Sequence, residues 1–172
     1  MRRLDLALIV LVLAGAYGVK RHFSDAPIEE LDYILRPTTA LVTATTGTEF
    51  TWQPGEGYMS REAYFLIARP CAGVNFWIVA ACASVFAFVG TRRTAGGKLL
   101  LAAGSVVVGF LATVVANAVR IAVAVLLHTR VGALGPLDGG RLHHIEGVAV
   151  YTFFLCVFFL VARRALAPRE AV

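Results

Sequence analysis

A cysteine, an arginine and a histidine, each at or within a different apolar segment, are the side chains of this sequence best suited to acyl transfer. Cys71 follows Arg69-Pro70 and precedes a long apolar segment. Proline is typical of a first helical turn, and the exposed amides and positive dipole end of a helix N-terminus favour the reactive thiolate. Gly73 would let a substrate backbone approach closely. Cys71 is therefore a candidate nucleophile, although the position alone equally allows a buried inert cysteine or a lipidation site.

Arg120 is the only charged residue between Lys98 and His128. An arginine in an apolar segment of a membrane protein costs several kcal/mol unless it is paired or hydrated, so Arg120 is a functional candidate. Asn117 lies three residues earlier on the same helical face. The forked donors of a guanidinium suit a carbonyl oxygen that develops negative charge. The alternative is an arginine that extends to the outer lipid headgroups.

His143 and His144 precede the last apolar segment, close to Arg141. Histidine is the usual proton shuttle near neutral pH. Adjacent helical positions point about 100° apart, so one of the two histidines is expected to face a shared site. The alternative is a pair of interfacial histidines without a catalytic role. A zinc site that includes Cys71 and Glu146 lacks further paired ligand spacing, so we predict no metal and no cofactor.

The composition indicates an integral membrane protein. The 172 residues are 58% hydrophobic and 16% charged, and the mean hydropathy is +0.73. A bilayer crossing needs about 20 apolar residues, and the backbone must be helical because lipid offers it no hydrogen-bond partner. Four segments qualify as predicted spans: residues 4–19, 73–90, 98–127 and 145–162. The first is short and can alternatively be interpreted as a signal peptide. The third is longer than one perpendicular crossing requires, which predicts tilt or projection.

The charges orient these four spans. Basic clusters occur before span one, between spans two and three, and after span four, which predicts that both termini are cytoplasmic. Most acidic residues fall between spans one and two, in residues 20–70. The net charge of +5 is thus a topology signal, with membrane lipid rather than nucleic acid as its partner. The chain is predicted to lie in the inner (plasma) membrane with Cys71, Arg120 and His143 at the extracytoplasmic face.

The segment 20–70 is predicted to lie outside the membrane. An apolar stripe from Ile28 to Val42 predicts an amphipathic helix, kinked or restarted at Pro37, that rests on the membrane surface or packs on the bundle. Strand-like runs near Trp52 and at 64–68 predict a small β-hairpin. The predicted fold class is an all-α membrane protein: a four-transmembrane-helix bundle with an extracytoplasmic amphipathic helix and a small β-hairpin between helices 1 and 2, as one domain over 1–172.

Three short motifs resemble the exosortase/archaeosortase family. They are Cys71-Ala-Gly73, Asn117-Ala-Val-Arg120 and His143-His-Ile-Glu-Gly147. The four-residue spacing to the glycine places the family histidine at His143, with His144 as the fallback. The outer segment, with Gly-Thr-Glu-Phe-Thr-Trp followed by Pro-Gly-Glu-Gly-Tyr, resembles the short exosortase K type.

The resemblance implies a cysteine transpeptidase for exported proteins. Their C-terminal sorting signal (PEP-CTERM-like) would have a short motif, a transmembrane helix and a basic tail. Cys71 would attack the carbonyl, Arg120 would hold the oxyanion and His143 would protonate the leaving amine. Asn117, Gly73, Gly147, His144 and Arg141 are candidate supporting residues. A lipid or surface-polymer component, or water, would accept the product.

Two features of the sequence depart from the family pattern. Many exosortases carry additional spans and have serine after the cysteine, whereas this sequence has four predicted spans and Ala72. The missing helices affect substrate docking more than chemistry.

One alternative function is a non-enzymatic membrane protein, such as a small transporter subunit or an assembly scaffold. The other is an intramembrane protease that releases its product to water.

Overall fold

The computed structural model describes residues 3–131 and 139–166, without the side chains of 128–131, 139–144 and 146. Most of the described chain is helical, in five α-helices: α1 Arg3–Asp25, α2 Asp32–Thr46, α3 Val74–Phe88, α4 Ala95–Val131 and α5 Gly139–Leu166. Three short 3₁₀ helices join them, at Ile28–Leu31, Arg69–Ala72 and Val89–Thr91. A three-stranded sheet follows α2, with strands β1 Thr51–Gln53, β2 Gly57–Ser60 and β3 Phe65–Ile67.

Three helices of the described chain are long and apolar enough to cross a membrane: Arg69–Thr91, Ala95–Leu127 and Gly147–Leu166. They correspond to the second, third and fourth predicted spans. The predicted first span lies within α1, which is helical but is not one of these three, so the count of four spans stays a prediction. The 37 residues of α4 extend about 55 Å at 1.5 Å per residue, well beyond the roughly 30 Å of hydrocarbon in a bilayer.

The chain divides into two compact units. The first unit comprises Met1–Ser24, Val74–Ala112 and Phe154–Val172, and the second comprises Asp25–Gly73 and Thr113–Phe153. Both long helices, α4 and α5, therefore contribute one part to each unit.

In the first unit, α1 is connected to two other helices by polar contacts. Asp5 forms an ion pair with Lys98 of α4, and both side chains are buried. Near the other end of α1, the Lys20 ammonium donates to Asn75 Oδ1 over 2.6 Å. Lys98 belongs to the predicted basic cluster between spans two and three, and Asp5 gives its ammonium a buried partner. The apolar core beside this ion pair contains Val85, Phe88, Val89 and Leu101.

In the second unit, α2 buries the predicted apolar stripe. Ile34, Leu35 and Val42 are fully buried, whereas Leu41 is exposed. The helix does not restart at Pro37, which lies inside it; the break comes earlier, where the 3₁₀ helix Ile28–Leu31 passes into α2.

The sheet of the second unit is antiparallel in the order β1-β2-β3, so it has three strands instead of the two of the predicted hairpin. Strand β2 was not predicted, because it begins at Gly57 and glycine favours turns over strands. Two hydrogen bonds attach the sheet to the preceding helical segment. Tyr58 donates its hydroxyl to Asp32 over 2.7 Å, and the Gly55 amide donates to Glu29 Oε1 over 2.9 Å. Burial, supported by the bond to Asp32, raises the pKa of Tyr58.

Candidate active site

Cys71 lies in a tight turn just before α3. The turn is the 3₁₀ helix Arg69–Ala72, with Pro70 in its first positions, and the Cys71 amide donates to the Ala68 carbonyl over 2.8 Å. Gly73 ends the turn with a left-handed backbone (φ +69°), and α3 begins at the next residue. The structure thus gives Cys71 a separate turn ahead of α3, and only 7% of its surface is exposed.

Gly73 lets this turn lie close against α4. A β-carbon at this position would be 3.0 Å from Thr113 Cγ2 and 3.2 Å from Asn117 Cγ. The positive φ angle also disfavours every other residue type. The close approach allows Asn117 Nδ2 to donate a hydrogen bond to the Cys71 carbonyl oxygen. Because Asn117 is fully buried, its hydrogen bond to the cysteine turn is shielded from water and attaches the turn to α4.

Asn117 is in turn bound by Tyr151 of α5. The Tyr151 hydroxyl donates to Asn117 Oδ1 over 2.6 Å and accepts a hydrogen bond from an Arg120 Nη atom over 3.3 Å. The Arg120 guanidinium carbon also lies 5.3 Å from the centre of the Tyr151 ring, within the range of a cation–π contact. A hydrogen-bonded chain thus connects the Cys71 backbone to Arg120 through Asn117 and Tyr151.

Arg120 is held inside the second unit, with 8% of its surface exposed. Gly147 of α5 lies directly against it, because a β-carbon there would be 3.0 Å from Arg120 Nε and 3.6 Å from Cζ. An arginine that extends to the lipid headgroups would have an exposed side chain, whereas Arg120 is buried and contacts Tyr151. The guanidinium has a defined place next to two residues of α5.

The comparison with known families covers the whole segment that contains these residues. The family model described as transmembrane exosortase matches residues 2–161, which is nearly the whole chain. The chain belongs to the transmembrane exosortase family. No curated protein and no solved structure matches it. The membership supports an exosortase that resides in a membrane, in a family that is related to membrane cysteine peptidases.

The two candidate histidines of this exosortase lie near the start of α5. The helix begins at Gly139 and includes His143, His144 and Arg141, whose side chains lie outside the described part of the structure. Helical phase relates their positions to Gly147 and Tyr151. At 3.6 residues per turn, position 143 is about 40° to one side of Gly147, and position 144 is about 20° beyond Tyr151 on the other side. The stripe that contacts Arg120 therefore lies between the two histidine positions, and helical phase alone selects neither.

Tyr151 is the site residue that the sequence analysis missed. A tyrosine within an apolar segment is unremarkable by type, and Tyr151 lies outside the three short motifs. One signal was available: Tyr151 is one helical turn after Gly147, and so lies on the face that the family glycine marks. Its two partners, three residues apart on α4, become apparent only when α4 and α5 are paired.

Other parts of the exosortase show less chemistry. The described residues contain no group of three or more histidine, cysteine or acidic side chains that could hold a metal, and the side chains of His143, His144 and Glu146 lie outside that part. Cys82 is partly buried and Cys156 is exposed.

Proposed function

We propose that this exosortase is a membrane-embedded cysteine transpeptidase that cleaves the C-terminal sorting signal of exported proteins. The observation that carries the proposal is the hydrogen-bonded chain Cys71–Asn117–Tyr151–Arg120. It connects the backbone of the residue that carries the candidate nucleophile to a buried guanidinium on another element, through two buried or half-buried polar side chains. Preorganised donors in a water-excluded site are the main source of transition-state stabilisation in acyl transfer.

The reaction would begin with the Cys71 thiolate. The sulfur attacks the scissile carbonyl carbon, and the carbonyl oxygen becomes an oxyanion next to the Arg120 guanidinium. His143 gives its proton to the amine nitrogen, the C–N bond breaks, and the released fragment leaves as an amine. The exported protein stays attached to Cys71 as a thioester. A nucleophile on a lipid or surface-polymer acceptor, or water, then gives its proton to His143 and attacks the thioester carbonyl. The C–S bond breaks, and the Cys71 thiolate and the protonated His143 are both restored.

Arg120 is suited to the oxyanion role because a guanidinium carries five N–H donors in a planar fork. Such a group can bind the Tyr151 hydroxyl and a second acceptor at once. Tyr151 and Gly147 restrict where the fork can lie. Placement of this kind matters because an error of about 1 Å in a catalytic group can cost roughly 100-fold in rate.

The cysteine variants test the nucleophile. The assay follows an exported protein with a C-terminal sorting signal in cells, and measures the ratio of processed to unprocessed protein. Cys71→Ala should abolish processing and accumulate the unprocessed form. The matched controls, Cys82→Ala and Cys156→Ala, remove thiols elsewhere in the chain and should process normally. Normal processing by Cys71→Ala would show that the proposal is wrong.

A second pair of variants tests the acid. The resemblance assigns the role to His143, so His143→Ala should lose processing and His144→Ala should retain most of it. The two positions flank the Gly147–Tyr151 stripe, so each variant is the control for the other. A loss confined to His144→Ala would move the role to the neighbouring histidine.

The acceptor and the topology need separate measurements. Mass spectrometry of the mature C-terminus distinguishes a protein attached to a lipid or polymer from one released by water. If both termini are cytoplasmic, a membrane-impermeant thiol reagent added outside intact cells should label Cys71. The presence of substrate should slow this labelling. Labelling only from the cytoplasm would contradict the extracytoplasmic site.

A further inference from the structure

The first unit contains an apolar groove that the proposed chemistry does not use. It has a volume of about 410 Å³ and runs between α4 and α5, with Ser84 of α3 at its base. Its walls include Leu101, Gly104 and Val108 of α4 and Phe158 and Ala162 of α5. We refer to it as the α4–α5 groove. The Ser84 hydroxyl donates to the Ala80 carbonyl of its own helix, so it adds little polarity to the groove.

One end of the α4–α5 groove is cationic. Arg92, between α3 and α4, lines the groove beside Gly97 and is half-buried. Within the described part of the chain Arg92 has no ion-pair partner. The neighbouring Arg93 is exposed and does not line the groove. The groove thus combines an apolar cleft with a single positive charge at one end.

The length of the groove corresponds to one lipid leaflet. From Gly97 to Val108 of α4 is about 16 Å at 1.5 Å per residue. That is roughly half of the 30 Å hydrocarbon thickness of a bilayer. A lipid tail that enters beside Arg92 would occupy the groove, while its headgroup stays level with the guanidinium.

We propose that the α4–α5 groove binds one tail of an anionic phospholipid, with Arg92 holding the phosphate-bearing headgroup. Charge and length both favour this occupant over a substrate helix. A transmembrane helix with a basic tail would bring like charge to Arg92 and would extend beyond the groove. The proposal concerns lipid binding in the first unit and is independent of the proposed catalysis.

Two arginine variants test the headgroup contact. The full-length chain is purified in detergent, stripped of lipid, and titrated with phosphatidylglycerol or phosphatidylcholine of identical tails under native mass spectrometry. The unchanged protein should bind one phosphatidylglycerol about fivefold more tightly, the ratio expected for one basic side chain near an anionic headgroup. Arg92→Gln should abolish this preference, and the matched control Arg93→Gln should retain it. An equal loss in both variants would mean general surface attraction and would overturn the proposal.

Two glycine variants test the tail contact. A β-carbon at Gly104 meets no atom within 4 Å, so Gly104→Leu fills the groove without a clash at its base. It should remove the tightly bound lipid of either headgroup. Gly15→Leu in α1 is the control, since Gly15 also has open space and lies away from the groove. Lipid retained by a folded Gly104→Leu would refute the groove as the site, and the arginine pair remains decisive if that variant misfolds. Displacement of the lipid by a synthetic apolar helix with a basic tail would identify a peptide site and also overturn the proposal.

Discussion

Tyr151→Phe removes one hydroxyl from the centre of the candidate active site. That hydroxyl makes two hydrogen bonds: it donates to Asn117 Oδ1 over 2.6 Å and accepts from Arg120 over 3.3 Å. The phenylalanine ring keeps the volume of the side chain and its cation–π contact with the guanidinium. The variant therefore separates the hydrogen bonds of Tyr151 from its packing.

The expected cost follows from the burial of Asn117. Its side chain is fully buried, so the amide oxygen that loses the tyrosine hydroxyl has no access to water. Leaving a buried polar group unsatisfied costs about 1–3 kcal/mol. If the whole penalty appears in the transition state for acyl transfer, the rate falls by roughly 5- to 150-fold. We expect the loss mainly in kcat, because Tyr151 positions the guanidinium and is not proposed to contact the substrate.

The assay is the rate of substrate processing at equal amounts of folded protein. Tyr17→Phe is the matched control, because Tyr17 is 72% exposed on α1 and should tolerate loss of its hydroxyl. Tyr151→Leu, which also removes the ring, should be slower than Tyr151→Phe. Processing by Tyr151→Phe at the rate of the Tyr17→Phe control would refute the view that Tyr151 organises Arg120. A loss that appears only as a higher KM would assign Tyr151 to substrate binding instead.

Three further predictions concern packing, an ion pair and pH. Gly147→Ala should slow processing about tenfold because the added β-carbon displaces the adjacent guanidinium. It should not lower the thermal stability, since alanine is favoured over glycine in a helix by about 1 kcal/mol. The control Gly18→Ala, with open space around it, should leave processing unchanged. Lys98→Met should destabilise the fold by about 3–5 kcal/mol in a thermal unfolding assay because it breaks the buried ion pair with Asp5 by removing one partner. The double variant with Asp5→Leu should recover most of this loss. The raised pKa of Tyr58 gives a contribution to stability that is fully present below pH 10 and is lost as the pH rises through the raised value. Thermal stability should therefore fall more steeply above pH 10 in the unchanged protein than in Tyr58→Phe. Equal slopes in the two proteins would contradict the prediction.

Local patterns predicted the parts of this fold that depend on neighbouring residues. The apolar stripe of α2 was identified because burial repeats with the helical period, and Ile34, Leu35 and Val42 are all fully buried. Strand β2 was missed because it begins at a glycine that indicated a turn, and its strand character comes from pairing with β1 and β3 on both sides. The turn that holds Cys71 was missed for a related reason. A glycine two residues after a cysteine does not reveal a positive φ angle until α4 packs against it.

Pairings between distant segments were beyond the sequence analysis. Asp5 and Lys98 are 93 residues apart, and each looks like an ordinary interfacial charge when considered alone. Asn117 and Arg120 were identified as one face of a helix, which follows from their spacing, but the residue that binds both of them lies on α5. Tyr151 therefore became a site residue through tertiary structure alone.

A residue larger than glycine would be unfavourable at Gly73 and at Gly147 for different physical reasons. Gly73 meets two requirements at once, since its φ angle is positive and a β-carbon would crowd Thr113 and Asn117. Any replacement there strains the backbone as well as the site, so loss of activity in a Gly73 variant would not separate folding from chemistry. Gly147 lies in an ordinary helical turn, and the contact its β-carbon would make is with the side chain of Arg120. A flexible arginine can yield by a few tenths of an ångström, which leaves the helix intact and moves the guanidinium. Gly147 is thus the position at which placement of the arginine can be changed while the fold is kept. A folded Gly147→Ala with the predicted slower processing would associate the third motif with Arg120 independently of either histidine.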